Sequence, residues 1–534
     1  MNRRDFLHLL AASSLLSGCD SRLLPALPPW LPVTVRRPGM AEGHWLRGLK
    51  TLPPSTGEER TGTVILGGGI AGLTAAWRLR QAGRSDFLLL TGPEPFGNAD
   101  GGRWRDVGYP RGAHYLPLPT RESVHVRTLL QAFGYVGQDA FTERPDYDER
   151  ALIQAPDERV LVDGRWQDGV FPAHVTSRED QVQHARFMAF VTGLRGRKGT
   201  DGKPLFAIPV ALSSQDADWR ALDRLTFRQW LDANGYTAAG LRGYLDYCCR
   251  DDYGLNSEHI SAWAGLHYFA SRSGKGRHIE NDGLLTWPDG LHTLAVQLSA
   301  ASAAQQRTGF AVRVREQADG VTVDYASRAG GPLRTLKAAR VIIATPLHVA
   351  MHLLDPAQLR DFGFDARDHL PPHAPWLVGN LYLEGFPEEL PGAETAWDNV
   401  VSGSRSLGYV VATHQLIRAA KPPATVFTAY HALAEMSPAA GRQWLLDAPD
   451  GELAARVLGD IRAAYGTDLW RRARGLEITV RGHAMASPAP GYLGNAGLLA
   501  LRGVDGRIRF AHSDLSGYSV FEEAAWWGWR TTEG

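Results

Sequence analysis

A glycine-rich loop directly after a short apolar run is the part of the chain best suited to chemistry. In VILGGGIAGLTAAWRLRQ, the glycines Gly67, Gly69 and Gly72 form the pattern G-x-G-x-x-G. Gly67 permits a tight turn, Gly69 lets a pyrophosphate approach the backbone, and Gly72 lets the following helix lie close to the strand. The amides at the start of that helix, at Ile70 and Ala71, then face the phosphates with the positive end of the helix dipole. This stretch predicts dinucleotide binding.

The elements on either side of the loop give it a β-α-β context. Val64–Leu66 is predicted as a buried strand, and apolar residues recur at helical spacing from Leu73 to Gln81. Gly83 ends that helix, and Phe87–Leu90 forms a second strand. This order raises the glycine pattern above chance. A loop of the same shape with nothing bound is the alternative interpretation.

The end of the second strand departs from the usual dinucleotide pattern. That strand is expected to end in Asp or Glu, which accepts hydrogen bonds from the adenosine ribose. Here it ends in Thr91, which offers one hydroxyl, and Glu94 stands just beyond. We expect the absence of this carboxylate to change the affinity or the selectivity for the nucleotide.

Both NAD and FAD use such a loop, and four other segments discriminate between them. They are GGR at 101–103, RGAHY at 111–115, the stretch 311–346, and RIRFAHSDLSGYSVFEEAAWWGWR at the C-terminus. Together they resemble the flavin-containing amine oxidase superfamily, which includes monoamine and polyamine oxidases and related desaturases. The resemblance implies FAD. No family-type cysteine for a covalent link stands near the C-terminal segment, so we expect FAD to bind non-covalently.

The resemblance assigns cofactor contacts to residues of the first three segments. The implied contacts are Gly101, Gly102 and Arg103 near the flavin phosphates, Gly112, Ala113 and His114 beside the isoalloxazine ring, and the backbone of Ala311 and Val312 at the adenine. The third segment is also predicted to be a three-stranded meander. Asp319-Gly320 is a strong hairpin signal, and Val341–Ala344 is expected to return as a buried strand.

The C-terminal segment is expected to contain a strand and a helix. Ile508–Phe510 has the pattern of a short strand, and Ser519 with Glu522 has the spacing of a capping box. The resemblance implies that the helix tip, at Val520 and Phe521, points its free amides at the flavin N1–C2=O edge. It also implies that Ser513 and Asp514 stand where the family has its acidic residue near the ribityl chain and pyrophosphate. Glu523 replaces the family's usual glycine.

The predicted fold class is α/β, with a Rossmann-like FAD-binding domain and an interleaved α+β substrate domain of the amine oxidase type. The predicted boundaries are 61–120, 281–350 and 495–534 for the FAD-binding domain, and 121–280 and 351–494 for the substrate domain. Within the substrate domain, Thr226 is predicted to cap a helix that ends at Gly235.

Aromatic and histidine side chains cluster in three stretches that could line a substrate pocket. The candidates are Trp263, His267, Tyr268, Trp287 and His483. For each of them alone, core packing is the more frequent role. Their clustering is what favours a pocket.

Two features of amine oxidases of this type have no match. The family lysine near flavin N5 is missing from 375–382, and Val520 stands where one of two cage tyrosines is expected. An amine substrate therefore rests on analogy.

Three functions stay open. The first is hydride transfer to FAD from an amine or similar small molecule, with His114 as the candidate catalytic residue nearest the ring. The second is desaturation or dehydrogenation of an apolar substrate. The third is a non-catalytic flavin-binding protein.

Composition excludes several other classes. The chain has 534 residues, with 57 basic and 57 acidic side chains, so no net field favours nucleic acid. The three cysteines are Cys19, Cys248 and Cys249, and the adjacent pair is badly placed for a disulfide. No metal-ligand spacing of Cys or His appears, so the sequence predicts no metal site.

The N-terminus has the features of an export signal. Arg3 and Arg4 precede Asp5-Phe6-Leu7 in a pattern that resembles the twin-arginine signal, and the apolar run that follows is too short to span a bilayer. Cys19 ends a lipobox-like LSGC, which predicts lipidation, with an ordinary signal peptide as the alternative. Asp20 favours the periplasmic side of the inner membrane. Because the twin-arginine route exports folded proteins, it suits a chain that closes around FAD before export. Oxygen or a membrane quinone is then the expected electron acceptor.

Residues 20–60 are interpreted as a tether and a leading segment.

Overall fold

The computed structural model describes residues 27–279 and 283–533. The predicted signal and lipidation site, including Cys19, lie outside these ranges. None of the helices within them is both long and apolar enough to cross a membrane.

The helices, in chain order, are α1 Met40–Gly48, α2 Ile70–Gln81, α3 Val124–Ala132, α4 Arg178–Leu194, α5 Ala217–Arg220, α6 Phe227–Ala233, α7 Ala239–Tyr253, α8 Ala262–Ser271, α9 His292–Ser302, α10 Leu347–Leu353, α11 Pro356–Asp361, α12 Ala366–His369, α13 Pro438–Asp447, α14 Asp450–Val457, α15 Gly459–Tyr465, α16 Leu469–Arg472, α17 Ala496–Arg502 and α18 Phe521–Arg530.

The strands are β1 Val33–Arg36, β2 Ser55–Leu66, β3 Phe87–Leu90, β4 Gly101–Trp104, β5 Val107–Pro110, β6 Tyr115–Pro117, β7 Glu158–Val162, β8 Arg165–Asp168, β9 Leu284–Thr286, β10 Gln305–Arg307, β11 Phe310–Gln317, β12 Gly320–Ala326, β13 Leu333–Ile343, β14 His373–Glu384, β15 Asp398–Val401, β16 Tyr409–Val411, β17 Ala424–Ala432, β18 Ala473–Ala486 and β19 Ile508–Phe510.

The first large sheet carries the predicted nucleotide-binding elements. Strands β10, β3, β2 and β13 run parallel in that order, and β19 pairs in parallel with the last residues of β13. In open α/β sheets, ligands bind outside the carboxyl ends of such strands. The predicted meander is confirmed as β11, β12 and β13, with its first turn at 318–319. Strand β2 begins at Ser55, earlier than predicted, because its polar first half pairs with β13.

The second large sheet has the order β1-β18-β14-β17-β16-β15-β7-β8. Most of its pairs are antiparallel, but β1 runs parallel to β18 at the sheet edge. Residues 20–60 are interpreted from sequence as a tether and a leading segment, and the described part of them contains β1, α1 and the start of β2. The segment lacks an apolar period because its strands lie at an edge or on the surface.

A helical layer completes the substrate side of the molecule. Helices α4, α6, α7 and α8 pack around a core that includes Phe187, Phe227 and Trp263. The predicted cap at Thr226 is confirmed as a full capping box with Gln229. Cys248 and Cys249 are both free and buried in this layer, as expected.

Close backbone contacts hold α2 against its strand and against α18. Gly67 has φ +111°, and a Cβ there would lie 2.7 Å from the Ala344 carbonyl oxygen. A Cβ on Gly72 would overlap the Gly67 carbonyl oxygen, and a Cβ on Gly528 would overlap the Ala71 carbonyl oxygen. These glycines therefore set how closely the two helices approach the sheet and each other.

We expect Gly72→Ala to lower the free energy of unfolding by about 1–3 kcal/mol, because the new methyl group meets backbone that cannot rotate away. Gly43→Ala is the matched control, since Gly43 lies in α1 and a Cβ there has open space around it. That change should raise the free energy of unfolding by about 0.5–1 kcal/mol. Denaturant unfolding measures both, and equal stability of the two variants would contradict the packing role of Gly72.

Candidate functional site

The glycine loop borders open space at one position only. Gly69 forms the N-cap of α2, and apart from its two neighbours in the chain no described residue has a heavy atom within 4 Å of where its Cβ would stand. By contrast, Gly67 and Gly72 are enclosed by protein. The structure thus separates the two uses of glycine in this loop. Two positions serve the turn and the packing, and Gly69 leaves room beside the amides of Ile70 and Ala71.

Two helices meet at this site with uncapped N-terminal ends. The cap residues are Gly69 for α2 and Val520 for α18, and neither helix has a side-chain cap among the described residues. The predicted capping box at Ser519 is wrong, because its hydroxyl accepts a hydrogen bond from the Ala486 amide instead, at 3.0 Å. Unpaired amides at a helix tip favour an anion or an acceptor group.

The packing of α2 and α18 fixes the separation of these tips. Gly528 lies against Ala71, at the start of α2. The stretch of α18 from Phe521 to Gly528 is about 10 Å long at 1.5 Å per residue. The two tips are therefore about 10 Å apart and belong to one rigid unit.

A short turn at Gly97–Ala99 covers the glycine loop. A Cβ on Gly97 would lie 3.5 Å from the Gly69 Cα, and Asn98 accepts the Ala113 amide at 2.8 Å. The predicted GGR residues, Gly101, Gly102 and Arg103, lie in the β4–β5 hairpin, where Arg103 is exposed. The structure thus places Gly97 rather than Gly101 against the loop. A phosphate contact by Arg103 stays a prediction.

The end of β3 has no free carboxylate. Thr91 is buried, and its hydroxyl donates to the Gly92 carbonyl oxygen at 3.1 Å. Glu94 forms a 2.6 Å ion pair with Arg481, whose guanidinium also donates to the Gly97 carbonyl oxygen at 3.3 Å. Sequence reasoning missed Arg481, which no motif marks. Its role is to tie β18 to the turn that covers the glycine loop.

Strand β11 starts beside the end of β3. The Gly92 amide donates to the Gly309 carbonyl oxygen at 2.9 Å, and the register of β11 shifts between Ala311 and Arg313, at Val312. The backbone of Ala311 and Val312 therefore lies near the carboxyl edge of the nucleotide sheet. Their contact with adenine stays a prediction.

The role predicted for Asp514 is wrong. Its carboxylate is buried and accepts the Leu347 amide at 2.8 Å and His373 Nε2 at 3.1 Å. It is thus used inside the protein and does not face a ribityl chain. Ser513 is also buried, and its hydroxyl lies 3.5 Å from that of Ser519. The extra residue in this turn, relative to the family pattern, is the signal that could have warned of the change.

His114 is partly exposed and packs against aromatic side chains at the second large sheet, a place that we name the His114 recess. Its ring stacks on Tyr430 at 4.3 Å between centroids and lies 5.6 Å from Trp397. Tyr430 donates to the Gly112 carbonyl oxygen, and Thr286 donates to that of His114. Burial lowers the pKa of His114 to about 3, so the imidazole is neutral at pH 7. A neutral ring carries no charge that would repel a cation.

Two aspartates border the same recess, and sequence reasoning missed both. Asp251 accepts the Tyr115 hydroxyl at 2.9 Å, and Asp398 accepts the Tyr247 hydroxyl at 3.4 Å. Burial raises the pKa of Asp251 to about 6, and burial with the nearby charge of Asp251 raises the pKa of Asp398 well above its usual range. Both aspartates nevertheless keep partial solvent exposure. Strong desolvation together with accessible surface indicates a deep recess.

The predicted pocket residues do not form one group. Trp263 and His267 stack on each other in the helical core, where His267 bonds to the Ala207 carbonyl oxygen at 2.9 Å, so their predicted pocket role is wrong. Trp287 packs against Tyr135 in a second core cluster, and its pocket role is wrong as well. Tyr268 is half-buried. Burial raises the pKa of its hydroxyl, and the charge of Asp251 adds to this, which indicates that Tyr268 lies near the recess.

His483 lies apart from the recess. It is exposed on β18, and its ring stacks on His348 at 4.3 Å between centroids. No contact between His483 and the recess is found among the described ring pairs, and its predicted pocket role stays a prediction.

Comparison with known proteins supports the fold. Residues 65–133 match the model of the NAD(P)-binding Rossmann-like domain family. No curated protein sequence matches the chain. Wild-type putrescine oxidase bound to putrescine is similar in structure, with a TM-score of 0.59, 16% identity, and coverage of 89% of this chain and 98% of that one.

Two further structures are similar over nearly their whole length. Cyclohexylamine oxidase from Brevibacterium oxydans IH-35A gives a TM-score of 0.58 at 15% identity, covering 90% of this chain and 98% of that one. A CLA-producing fatty acid isomerase from P. acnes gives 0.57 at 15% identity, covering 88% and 97%. The predicted fold class is confirmed: this chain contains a Rossmann-like nucleotide-binding domain within the fold that these three enzymes share.

Proposed function

We propose that the protein is an FAD-dependent oxidoreductase of the amine oxidase type that removes hydride from a small amine. The observation that carries this proposal is the pair of uncapped helix tips, on packed helices, beside the open space at Gly69. The tip of α2 suits a pyrophosphate, and the tip of α18 suits the polar edge of a flavin. Their separation of about 10 Å is comparable to the length that a ribityl chain would have to bridge.

The residues at the site fit non-covalent FAD. The amides that follow Gly69 would hold the pyrophosphate, and the turn at Gly97 would close over it. The amides at Val520 and Phe521 would favour negative charge at the flavin N1–C2=O edge. Bound FAD would supply the hydride acceptor. The family lysine has no counterpart in β14, so we assign no proton transfer to that strand.

The recess at His114 supports an amine as substrate. Partly exposed Tyr115 is an aromatic side chain that would attract a cationic group, and neutral His114 does not oppose it. An alkylammonium ion must lose a proton before hydride can leave the adjacent carbon. Asp251 would accept that proton, since its raised pKa of about 6 still leaves it largely ionised at pH 7. Putrescine oxidase and cyclohexylamine oxidase share this fold.

A second candidate is desaturation or a related reaction on an apolar substrate. The aromatic lining of the recess suits such a substrate as well, and the fatty acid isomerase has the same fold. We also propose where the protein is located in the cell. Export by the twin-arginine signal and lipidation at Cys19 would place the protein on the periplasmic side of the inner membrane, with oxygen or a quinone as electron acceptor.

The purified chain should carry a yellow chromophore that small amines bleach without added oxygen. Reoxidation by oxygen would then release hydrogen peroxide. Bleaching by fatty acids alone, with reoxidation by a quinone analogue, would favour the second candidate. A colourless chain that cannot be reconstituted with FAD would refute both.

Gly69→Asp should abolish flavin binding, because a carboxylate would occupy the space beside the helix tip and repel a pyrophosphate. The measurement is flavin absorbance per chain after purification. Gly506→Asp is the control, since Gly506 also has open space around it but lies away from the loop. Normal flavin content in Gly69→Asp would count against the assignment of the loop.

Asp251→Asn should lower kcat/KM for amines by about 10²-fold or more, because the proton acceptor is lost. In the wild type, kcat/KM should rise with pH through about 6, as Asp251 loses its proton. The variant should lose this step. Asp319→Asn, at an exposed hairpin turn, is the matched control and should keep the wild-type profile. An unchanged pH profile in Asp251→Asn would rule out this role.

A further inference from the structure

Four residues that are far apart in the sequence meet where the two sheets adjoin. His348 lies in the first turn of α10, His373 begins β14, His483 lies on β18, and Asp514 lies in the turn Ser513–Ser516. We name these residues the histidine–aspartate cluster. His348, His373 and Asp514 each bring one potential ligand atom to within 4.8 Å of the other two. Their order in the chain follows no metal-binding spacing, so sequence reasoning predicted no metal site.

Two polar atoms of the cluster are buried without partners. His348 Nδ1 and Asp514 Oδ1 have no hydrogen bond to any residue in 27–279 or 283–533. The other carboxylate oxygen, Oδ2, already accepts the Leu347 amide and His373 Nε2. Buried polar atoms without partners cost free energy, so a pair of them at one place indicates a missing bound group.

The neighbouring His512 does not donate a hydrogen bond to Asp514 Oδ1. Its Nδ1 accepts the Asp514 amide at 3.1 Å, so this nitrogen carries no proton. Although it lies 3.2 Å from Asp514 Oδ1, it cannot donate to that oxygen. Asp514 Oδ1 therefore lacks a hydrogen-bond donor among the described residues.

We propose that His348, His373 and Asp514 bind a divalent transition-metal ion of the zinc class. Imidazole nitrogen and carboxylate oxygen are ligands that such ions prefer. Binding would replace the hydrogen bond between His373 and Asp514 and release the His373 proton. His483, which stacks on His348 and is exposed, is a candidate for a fourth ligand and marks the side from which an ion would enter.

The ion would join the two halves of the molecule. His348 and Asp514 follow strands β13 and β19 of the nucleotide sheet, whereas His373 and His483 lie on strands of the second sheet. A metal at this place would therefore stabilise the domain arrangement.

The test is a titration of the full chain after treatment with a chelator. Zn²⁺ binding is measured by calorimetry, and Co²⁺ binding by its visible absorption. We expect one ion per chain and a higher Tm with the ion bound. His348→Ala and Asp514→Asn should each weaken binding at least about tenfold, since even the loss of a residue behind a ligand costs about 10–100-fold. His259→Ala removes an exposed histidine outside the cluster and should leave binding unchanged.

His348→Ala is the decisive variant, because His348 Nδ1 takes part in no described hydrogen bond and its loss should not disturb folding. Equal affinity in His348→Ala and the wild type would overturn the proposal. So would the absence of saturable binding by the wild type, which would mean that a buried water serves the two atoms. Flavin content, measured on the same samples, keeps this result separate from that of the proposed function.

Discussion

The backbone contact between α2 and α18 is the constraint on which the candidate site depends. Gly528 leaves just enough space for the Ala71 carbonyl oxygen, and Gly72 does the same for that of Gly67. Because these contacts involve backbone atoms, no change of side-chain conformation can adjust them. Two helix ends from opposite ends of the chain thus keep a fixed separation. Trp529 adds to this, with the Arg78 guanidinium 3.7 Å from its ring centroid.

The sequence predicted the parts of the site that are determined locally. The glycine loop, the three-stranded meander and the capping box at Thr226 each depend on neighbouring residues, and the structure has them where the patterns indicate. The GGR residues lie in a hairpin, and their predicted contact with the flavin phosphates stays a prediction, whereas the turn at Gly97, which no motif marked, lies against the loop. The recess could not be predicted, because Asp251 and Asp398 come from elements that only the tertiary fold brings together.

Burial, rather than the net charge of the chain, determines the protonation states of the titratable groups in the recess. The chain as a whole is neutral, yet desolvation keeps His114 uncharged and brings the pKa of Asp251 close to neutrality. A group with such a pKa can exchange a proton near physiological pH without a partner base. Asp251 thus gives the recess a titratable acid, although the lysine that is typical of the flavin-containing amine oxidases is missing.

The parallel pairing of β1 with β18 has a mechanical consequence for a chain attached to a bilayer. Val33 is bonded into the sheet that supports Arg481 and the recess, so a pull from the N-terminal side acts directly on a structural strand. If Cys19 carries lipid, the intervening residues reach at most about 50 Å even when fully stretched. The catalytic body would then diffuse in a thin layer over the membrane surface, where a lipid-soluble electron carrier is always within a short distance.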